Sequence, residues 1–130
     1  MDMKLELVPI PVADVDRAKA FYTERLGFRV DVDVRPADGV RVVQLTPPGS
    51  ACSIGMGTGL GAYDGEPGTV RALHLVVPDI EQARAELVDR GVEVGEVVDL
   101  GGGVRNAGFS DPDGNTLTLQ EMAWRTGESF

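Results

Sequence analysis

The chain has little of several things, and each shortage closes a class of function. One cysteine, Cys52, among 130 residues excludes an intramolecular disulfide and any multi-cysteine zinc site. It lies in a short Ala-Cys-Ser-Ile run with no His or basic residue beside it, which reads as a small buried filler rather than an activated thiol. The only histidine is His74, so any histidine general base must be this residue. Positive charge is scarce: 12 Lys+Arg against 21 Asp+Glu leave a net charge of −9. Phosphate backbones and anionic membranes attract clustered Lys and Arg, so neither nucleic acid nor membrane is expected as a partner, whereas cationic small molecules remain open. No segment approaches the roughly 20 apolar residues that span a bilayer. Met1 to Val8 carries charges where a signal peptide needs an apolar run, and a cytoplasmic location is expected.

What the chain does have is apolar content and repetition. With 42% hydrophobic residues it can build a core as one compact domain, and a chain of this length buries about two-thirds of its unfolded surface. Shifted by 65 positions the sequence falls on itself: Val12-Ala13-Asp14 on Val77-Pro78-Asp79, Ala18 on Ala83, Arg25 on Arg90, Pro47 on Pro112 and Gly49 on Gly114. Leu5 to Val12 reads as a strand, and Asp14 then caps a helix from about Val15 to Leu26 that stops at Gly27. In the second copy the strand is Ala72 to Val77, Asp79 is the cap with Gln82 three positions on, and Gly91 ends the helix. Three β-rich segments follow each helix: Phe28–Val34, Val40–Thr46 and Ala51–Met56, then Val92–Val98, a weaker one near Val104–Ser110, and Thr116–Met122. Turns rich in Pro and Gly, Thr46 to Ser50 and Ser110 to Asn115, separate the last two strands of each copy. The fold class expected is α+β, with βαβββ repeated once. The first module runs over about residues 4–56, a linker over about 57–69, the second module over about 70–122 and a tail over 123–130. Gly101-Gly102-Gly103 reads as a flexible connection, since no Lys-Ser/Thr follows to make it a phosphate loop.

Paired βαβββ units, with Val-Ala-Asp-Val-Asp-Arg-Ala-Lys-Ala-Phe-Tyr (Val12 to Tyr22) in the first and Asp-Pro-Asp-Gly-Asn (Asp111 to Asn115) near the end, resemble the vicinal oxygen chelate superfamily. That group includes glyoxalase I, bleomycin resistance proteins, fosfomycin-modifying enzymes and extradiol dioxygenases. The resemblance implies two modules curling a mixed sheet around a shared cleft that binds ligands, and a homodimer. Its motifs cap helices and form turns, so they identify fold rather than activity.

Metal-dependent members place His, Glu or Gln on the first and last strand of each module. Carried onto this sequence, those places fall on Leu7, Ser53, Ala72 and Thr118, a set of aliphatic and hydroxyl side chains that makes no divalent-metal site. A two-residue slip keeps the strand face and substitutes Pro9, Gly55, His74 and Gln120, which contain one good ligand and one weak one. Glu121 should face away. No metal and no other cofactor is therefore expected.

His74 shares a face with Ala72, the face expected to line the cleft, where it is a ligand contact, a catalytic acid or base, or a polar residue satisfied in the wall. Thr116, Thr118 and Gln120 form a polar stripe on the last strand, and Ser53 is its counterpart in the first module, with no His-Asp pair to make it a nucleophile. Arg41, Val43 and Leu45 share one strand face and Val42 and Gln44 the other, and alternation alone leaves open which faces inward. Phe109, with Tyr63, Met56 and Trp124, falls on segments that could rim the cleft, and Phe109 is counted among its lining residues. Asp31 to Asp33 reads as a solvated strand edge, and together with Asp38, Asp64 and Glu66 it could attract a cationic ligand.

The function expected is a metal-independent protein that sequesters a small molecule, cationic or polycyclic, in the manner of bleomycin resistance proteins. The alternative is a glyoxalase-like enzyme, a lyase, isomerase, cyclase or dioxygenase, using His74 as base or metal ligand, with Thr118 and Gln120 orienting substrate.

Overall fold

The computed structural model describes residues 1–125; the end of the expected tail, 126–130, lies outside the described residues. The chain divides into two compact units. The first comprises Met1–Val70 together with Asp111–Asn115, the second Arg71–Ser110 and the residues from Thr116 onward. Each carries a four-stranded mixed sheet and a helix, the α+β arrangement of a doubled βαβββ module.

In the first unit, strands β1 (Leu7–Pro9), β2 (Arg29–Ala37), β3 (Val40–Thr46) and β4 (Ser53–Thr58) lie in the order β1-β4-β3-β2. β1 runs parallel to β4 and the other neighbours are antiparallel. Helix α1 (Val15–Ala20) starts at Asp14, whose carboxylate accepts from the Arg17 N–H. Val43 faces Met56 and Leu45 faces Ile54 across β3 and β4, and all four are buried. Arg41 lies on this same face and reaches Asp16 of the helix at 2.6 Å and Asp33 of β2 at 3.0 Å, so this is the face α1 covers. That answers the question left open by alternation: Arg41, Val43 and Leu45 point to the helix, Val42 and Gln44 away from it.

The turn Asp111–Asn115 completes this unit. The Asp111 carboxylate, 5% exposed, accepts four hydrogen bonds: from the Tyr22 hydroxyl (2.8 Å), the Asn115 side-chain amide (2.8 Å), and the backbone N–H groups of Asp113 and Asn115 (both 2.9 Å). Four donors meet the four lone-pair sites of a carboxylate. Asp113 extends the network by accepting from the Ala13 N–H and from Arg17 at the start of α1. Burial, and then the adjacent Asp111, push the Tyr22 hydroxyl far above its usual titration range.

In the second unit, β5 (Leu73–Val76), β6 (Val98–Gly101), β7 (Val104–Ser110) and β8 (Thr116–Met122) lie in the order β5-β8-β7-β6, with β5 parallel to β8. Helix α2 (Ile80–Asp89) is capped twice: Asp79 accepts from the Gln82 N–H, and Glu121 of β8 accepts from the Ile80 N–H. Arg105 of β7 grips Glu121 (3.0 Å) and reaches Glu81 in the first turn of α2 (3.4 Å). Glu121 therefore points to the helix side.

Four expectations are corrected. The first strand is shorter than Leu5–Val12, because Pro9 and Pro11 have no N–H to extend a ladder. The first helix does not stay α-helical to Leu26. It widens at Phe21–Arg25 into a π turn, with Leu26 N–H bonding the Phe21 carbonyl, and this turn carries the buried Tyr22. Val92–Val98 is no strand before Val98; its Val94 and Gly95 carbonyls accept from the Arg84 guanidinium instead of a neighbouring strand. Gly101, Gly102 and Gly103 form a tight β6–β7 hairpin rather than a loose connection. Their φ angles of 83, 65 and 81° lie in the left-handed region that glycine enters at least cost.

Two stability effects follow. Tyr22→Phe leaves the buried Asp111 carboxylate one donor short and lowers unfolding stability by about 2 kcal/mol, read from urea midpoints. Asp33 titrates well below its ordinary value of 3.8, held down first by Arg41 and then by Lys19. Its unfolded form binds protons more readily than its folded form, so this contribution is complete above 3.8, falls away below it, and is gone once the folded carboxyl protonates. Urea midpoints therefore drop as the pH falls below about 4, and Asp33→Asn flattens that drop.

Candidate functional site

Each sheet has a second face turned away from its helix, and the expected site residues sort onto these faces with two exceptions, Ala72 and Phe109. In the first unit, Leu7 stands beside Ser53 and Pro9 beside Gly55 across the parallel β1–β4 pair. Ser53, 8% exposed, lies 2.6 Å from the Thr46 hydroxyl, which also contacts the Asp31 carboxylate. An ionised carboxylate only accepts, so Thr46 gives its proton to Asp31 and receives that of Ser53. Ser53 is left presenting lone pairs, an acceptor rather than an activated nucleophile. Arg29 first, and then Thr46, holds the Asp31 carboxyl below its usual range.

Two glycines of β4 make room for an aromatic ring on this face. Tyr63 stands in a short 3-10 turn (Gly61–Tyr63) of the linker. A Cβ on Gly55 would meet Tyr63 Cε1 and Oη at 3.2 Å, and one on Gly57 would meet Tyr63 Cδ2 at 3.0 Å. Burial, and then Glu6, raise the Tyr63 hydroxyl above its ordinary range.

In the second unit, His74 pairs with Thr118 and Val76 with Gln120 across β5 and β8. The 65-residue repeat would instead set Ala72 beside Thr118. The two-residue difference falls between strand and helix: Leu7 stands seven residues before the cap Asp14, His74 only five before the cap Asp79. Ala72 lies outside the strand with φ 56°, the one positive φ among the described non-glycine residues. Its N–H donates to the Thr116 hydroxyl at 2.7 Å, and its carbonyl accepts from His74 Nδ1 at 2.5 Å. Because a carbonyl can only accept, Nδ1 carries the proton and Nε2 of the neutral ring carries the lone pair. His74 itself is exposed.

Asn106 of β7 is a further polar residue of this face that sequence reasoning missed. It pairs with Gln120, and its side-chain oxygen is buried with no hydrogen-bond partner. The weak alternation of Val104–Ser110 was the available signal: Asn106 and Gly108 occupy one parity, Ala107 and Phe109 the other. The same parity corrects Phe109. It faces Leu117 on the helix side and is 5% exposed, a core residue rather than a lining one. Met56 is likewise core, and Trp124 is exposed.

The acidic stretch is engaged rather than free. Asp33 bonds Lys19 at 2.7 Å besides Arg41, and Asp31 bonds Arg29 at 2.8 Å. Among the described residues no group of three or more His, Cys, Asp or Glu could hold a metal ion. Nor is any described helix long and apolar enough to cross a membrane.

Two mixed four-stranded βαβββ sheets, each with a helix-free face, define a glyoxalase-like α+β protein. The family model for the Glyoxalase/Bleomycin resistance protein/Dioxygenase superfamily matches residues 4–119, and the chain belongs to that superfamily. Among solved structures it is similar to TnmS3, an antibiotic binding protein from Streptomyces sp. CB03234: 33% identity, TM-score 0.81, covering 94% of this chain and 98% of that one. A glyoxalase/bleomycin resistance protein from the same organism is 34% identical, with TM-score 0.74 and 89% and 98% of the two chains covered. A superfamily member from Sphaerobacter thermophilus DSM 20745 is 31% identical, with TM-score 0.79 and coverage of 92% and 98%. A search of curated proteins finds no match.

The His74 geometry has a direct readout. Long-range proton–nitrogen correlation spectra of the neutral ring should show a protonated Nδ1 and an unprotonated Nε2. The reverse pattern would remove the bond to the Ala72 carbonyl.

Proposed function

We propose that this protein binds and sequesters a small organic molecule without a metal and without transforming it. The observation that carries this reading is the helix-free face of the second unit, where His74, Thr118, Gln120 and Asn106 stand in adjacent strand pairs and the Asn106 oxygen is buried without a donor. A buried acceptor left unpaired costs free energy that a ligand donor would recover. Where metal-dependent relatives carry ligands on the first and last strands, the pairing here sets Leu7 beside Ser53 and His74 beside Thr118, a set with a single good ligand that does not fit a divalent metal. Similarity to an antibiotic binding protein at 33% identity supports an antibiotic-like ligand. The same proposal takes the protein as a cytoplasmic homodimer.

One observation favours a second reading. In a neutral ring the bond from His74 Nδ1 to the Ala72 carbonyl leaves the lone pair on Nε2, the tautomer a general base needs. Under that reading His74→Ala abolishes turnover of the ligand; under sequestration there is no turnover to abolish.

The deciding experiment is a thermal-shift screen of polycyclic and cationic antibiotics, repeated after dialysis against EDTA, with mass spectrometry of the recovered ligand. At a hundredfold excess over Kd a ligand bound only by the native state adds about 2.7 kcal/mol. The expected outcome is a midpoint raised by several degrees, unaffected by EDTA, with ligand recovered unchanged. Loss of the shift on metal removal, or a changed ligand mass, would sink the proposal.

A further inference from the structure

Gly108 is a strand glycine that the fold does not call for. It stands within β7, whose pairing with β8 runs without a bulge from Val104 opposite Met122 to Ser110 opposite Thr116. Its φ is not left-handed, and a Cβ there would meet only the Leu117 carbonyl oxygen, at an ordinary 3.8 Å. Gly57 and Gly68 differ in this respect: a Cβ on either would run into a carbonyl, that of Arg41 or that of Asp113. The Gly108 carbonyl accepts from the Gly95 N–H at 2.8 Å, a bond that a side chain standing off the sheet leaves alone. Glycine inside a strand costs stability relative to alanine. Where no bulge or bend requires it, the reason that remains is close approach of another group to the backbone. Gly108 is exposed, and no described side chain makes that approach.

The surroundings of this open place are polar. Asn106 is next along β7 on the same helix-free face, and Thr118 stands beside Gly108 across the β7–β8 pair. Neighbouring strands lie about 4.8 Å apart and alternate residues of a strand roughly 7 Å apart, so a group resting on Gly108 is within side-chain reach of both. Asn106 Oδ1 is buried with no hydrogen-bond partner, while the residue as a whole is half-buried. The last torsion of an asparagine is soft, so a turn of the amide carries its oxygen to the open side. That oxygen can only accept, whereas the Thr118 hydroxyl can give a proton as well as take one.

We propose that the bare backbone at Gly108 is a notch for a ligand hydroxyl, which donates to Asn106 Oδ1 and accepts from Thr118 Oγ1; the proposal rests on the small-molecule-binding reading above. Gly108 then sets the shape of the group admitted and Asn106 its polarity. A hydroxyl is small enough to lie against the strand and meets both neighbours at once. A methyl ether in the same place is larger and has no proton to give, so it leaves the Asn106 oxygen unmet.

The probes are 1-naphthol and its methyl ether, 1-methoxynaphthalene, titrated into the isotope-labelled full chain and followed in proton–nitrogen correlation spectra. In wild type 1-naphthol is expected to shift the Gly108 N–H and the Asn106 side-chain signals to saturation, and to bind at least about fivefold more tightly than the ether. Asn106→Ala should bring the two probes within about twofold of each other. Gly108→Val fills the notch and should weaken 1-naphthol at least about fivefold, with a circular-dichroism melting midpoint unchanged or raised. Gly108→Ala is the milder filling should the valine variant not fold. A glycine needed only for the fold gives the opposite pattern, a lowered midpoint in Gly108→Ala with 1-naphthol affinity kept, and that result overturns the notch. So does equal binding of the ether, a preference that survives Asn106→Ala, or no saturable binding of 1-naphthol. If compounds from the antibiotic screen still raise the midpoint in that event, sequestration stands without the notch; if none does, the reading beneath it fails as well.

Discussion

A carboxylate with almost no exposed surface is costly unless its lone pairs are met, and Asp111 meets all of them with four donors. Much of the first unit is arranged around it. Tyr22, fully buried, is brought to it by a π turn that widens the end of α1, and Asn115, also buried, bonds it twice. Asn115 then reaches back to the Pro11 carbonyl and accepts from the Val70 N–H, while Asp113 binds the start of α1. Asp-Pro-Asp-Gly-Asn is thus a solution to a solvation problem, and its chemistry explains why it reports fold and says nothing of ligand.

The two units repeat a second device. In each, an arginine on the third strand of the module reaches the acidic residue in the first turn of the helix: Arg41 to Asp16, and Arg105 to Glu81. The helices obey the 65-residue repeat, but these arginines are 64 apart, so a search at one fixed shift passes over them. Each arginine is also held by an acid of a neighbouring strand, Asp33 or Glu121. Acids on the helix, the strand and the arginine between them fix the helix to its sheet by charge as well as by apolar contact.

Local chemistry was the legible part of the sequence. Asp14 and Asp79 cap because their short side chains reach the N–H three residues on, and nothing distant has to cooperate. The Leu7–Ser53 pair came instead from the family resemblance and the 65-residue offset, and the parallel β1–β4 register sets the two side by side. Register in the second unit was less legible, because the connection from β5 to the cap Asp79 is two residues shorter than its counterpart, which a fixed 65-residue shift does not show. Phe109 was placed on the wrong face for a related reason: Val104–Ser110 has too little apolar contrast to show its parity without its partner strand. Tyr63 depends on two glycines whose close approach to other groups leaves no local mark, and Asn106 on a missing partner, which sequence cannot display.

The inclusion of Asp111–Asn115 in the first unit also orders events in time. The 41 residues from Arg71 to Asp111 must be synthesised before Tyr22 can find its acceptor. At about 5–20 residues per second that is an interval of roughly 2 to 8 seconds. Throughout it the first sheet exists as nascent chain with the hydroxyl of its most deeply buried tyrosine unmatched. The repeat in the sequence suggests two halves that could mature one after the other on the ribosome; the placement of five residues makes the earlier half wait for the later.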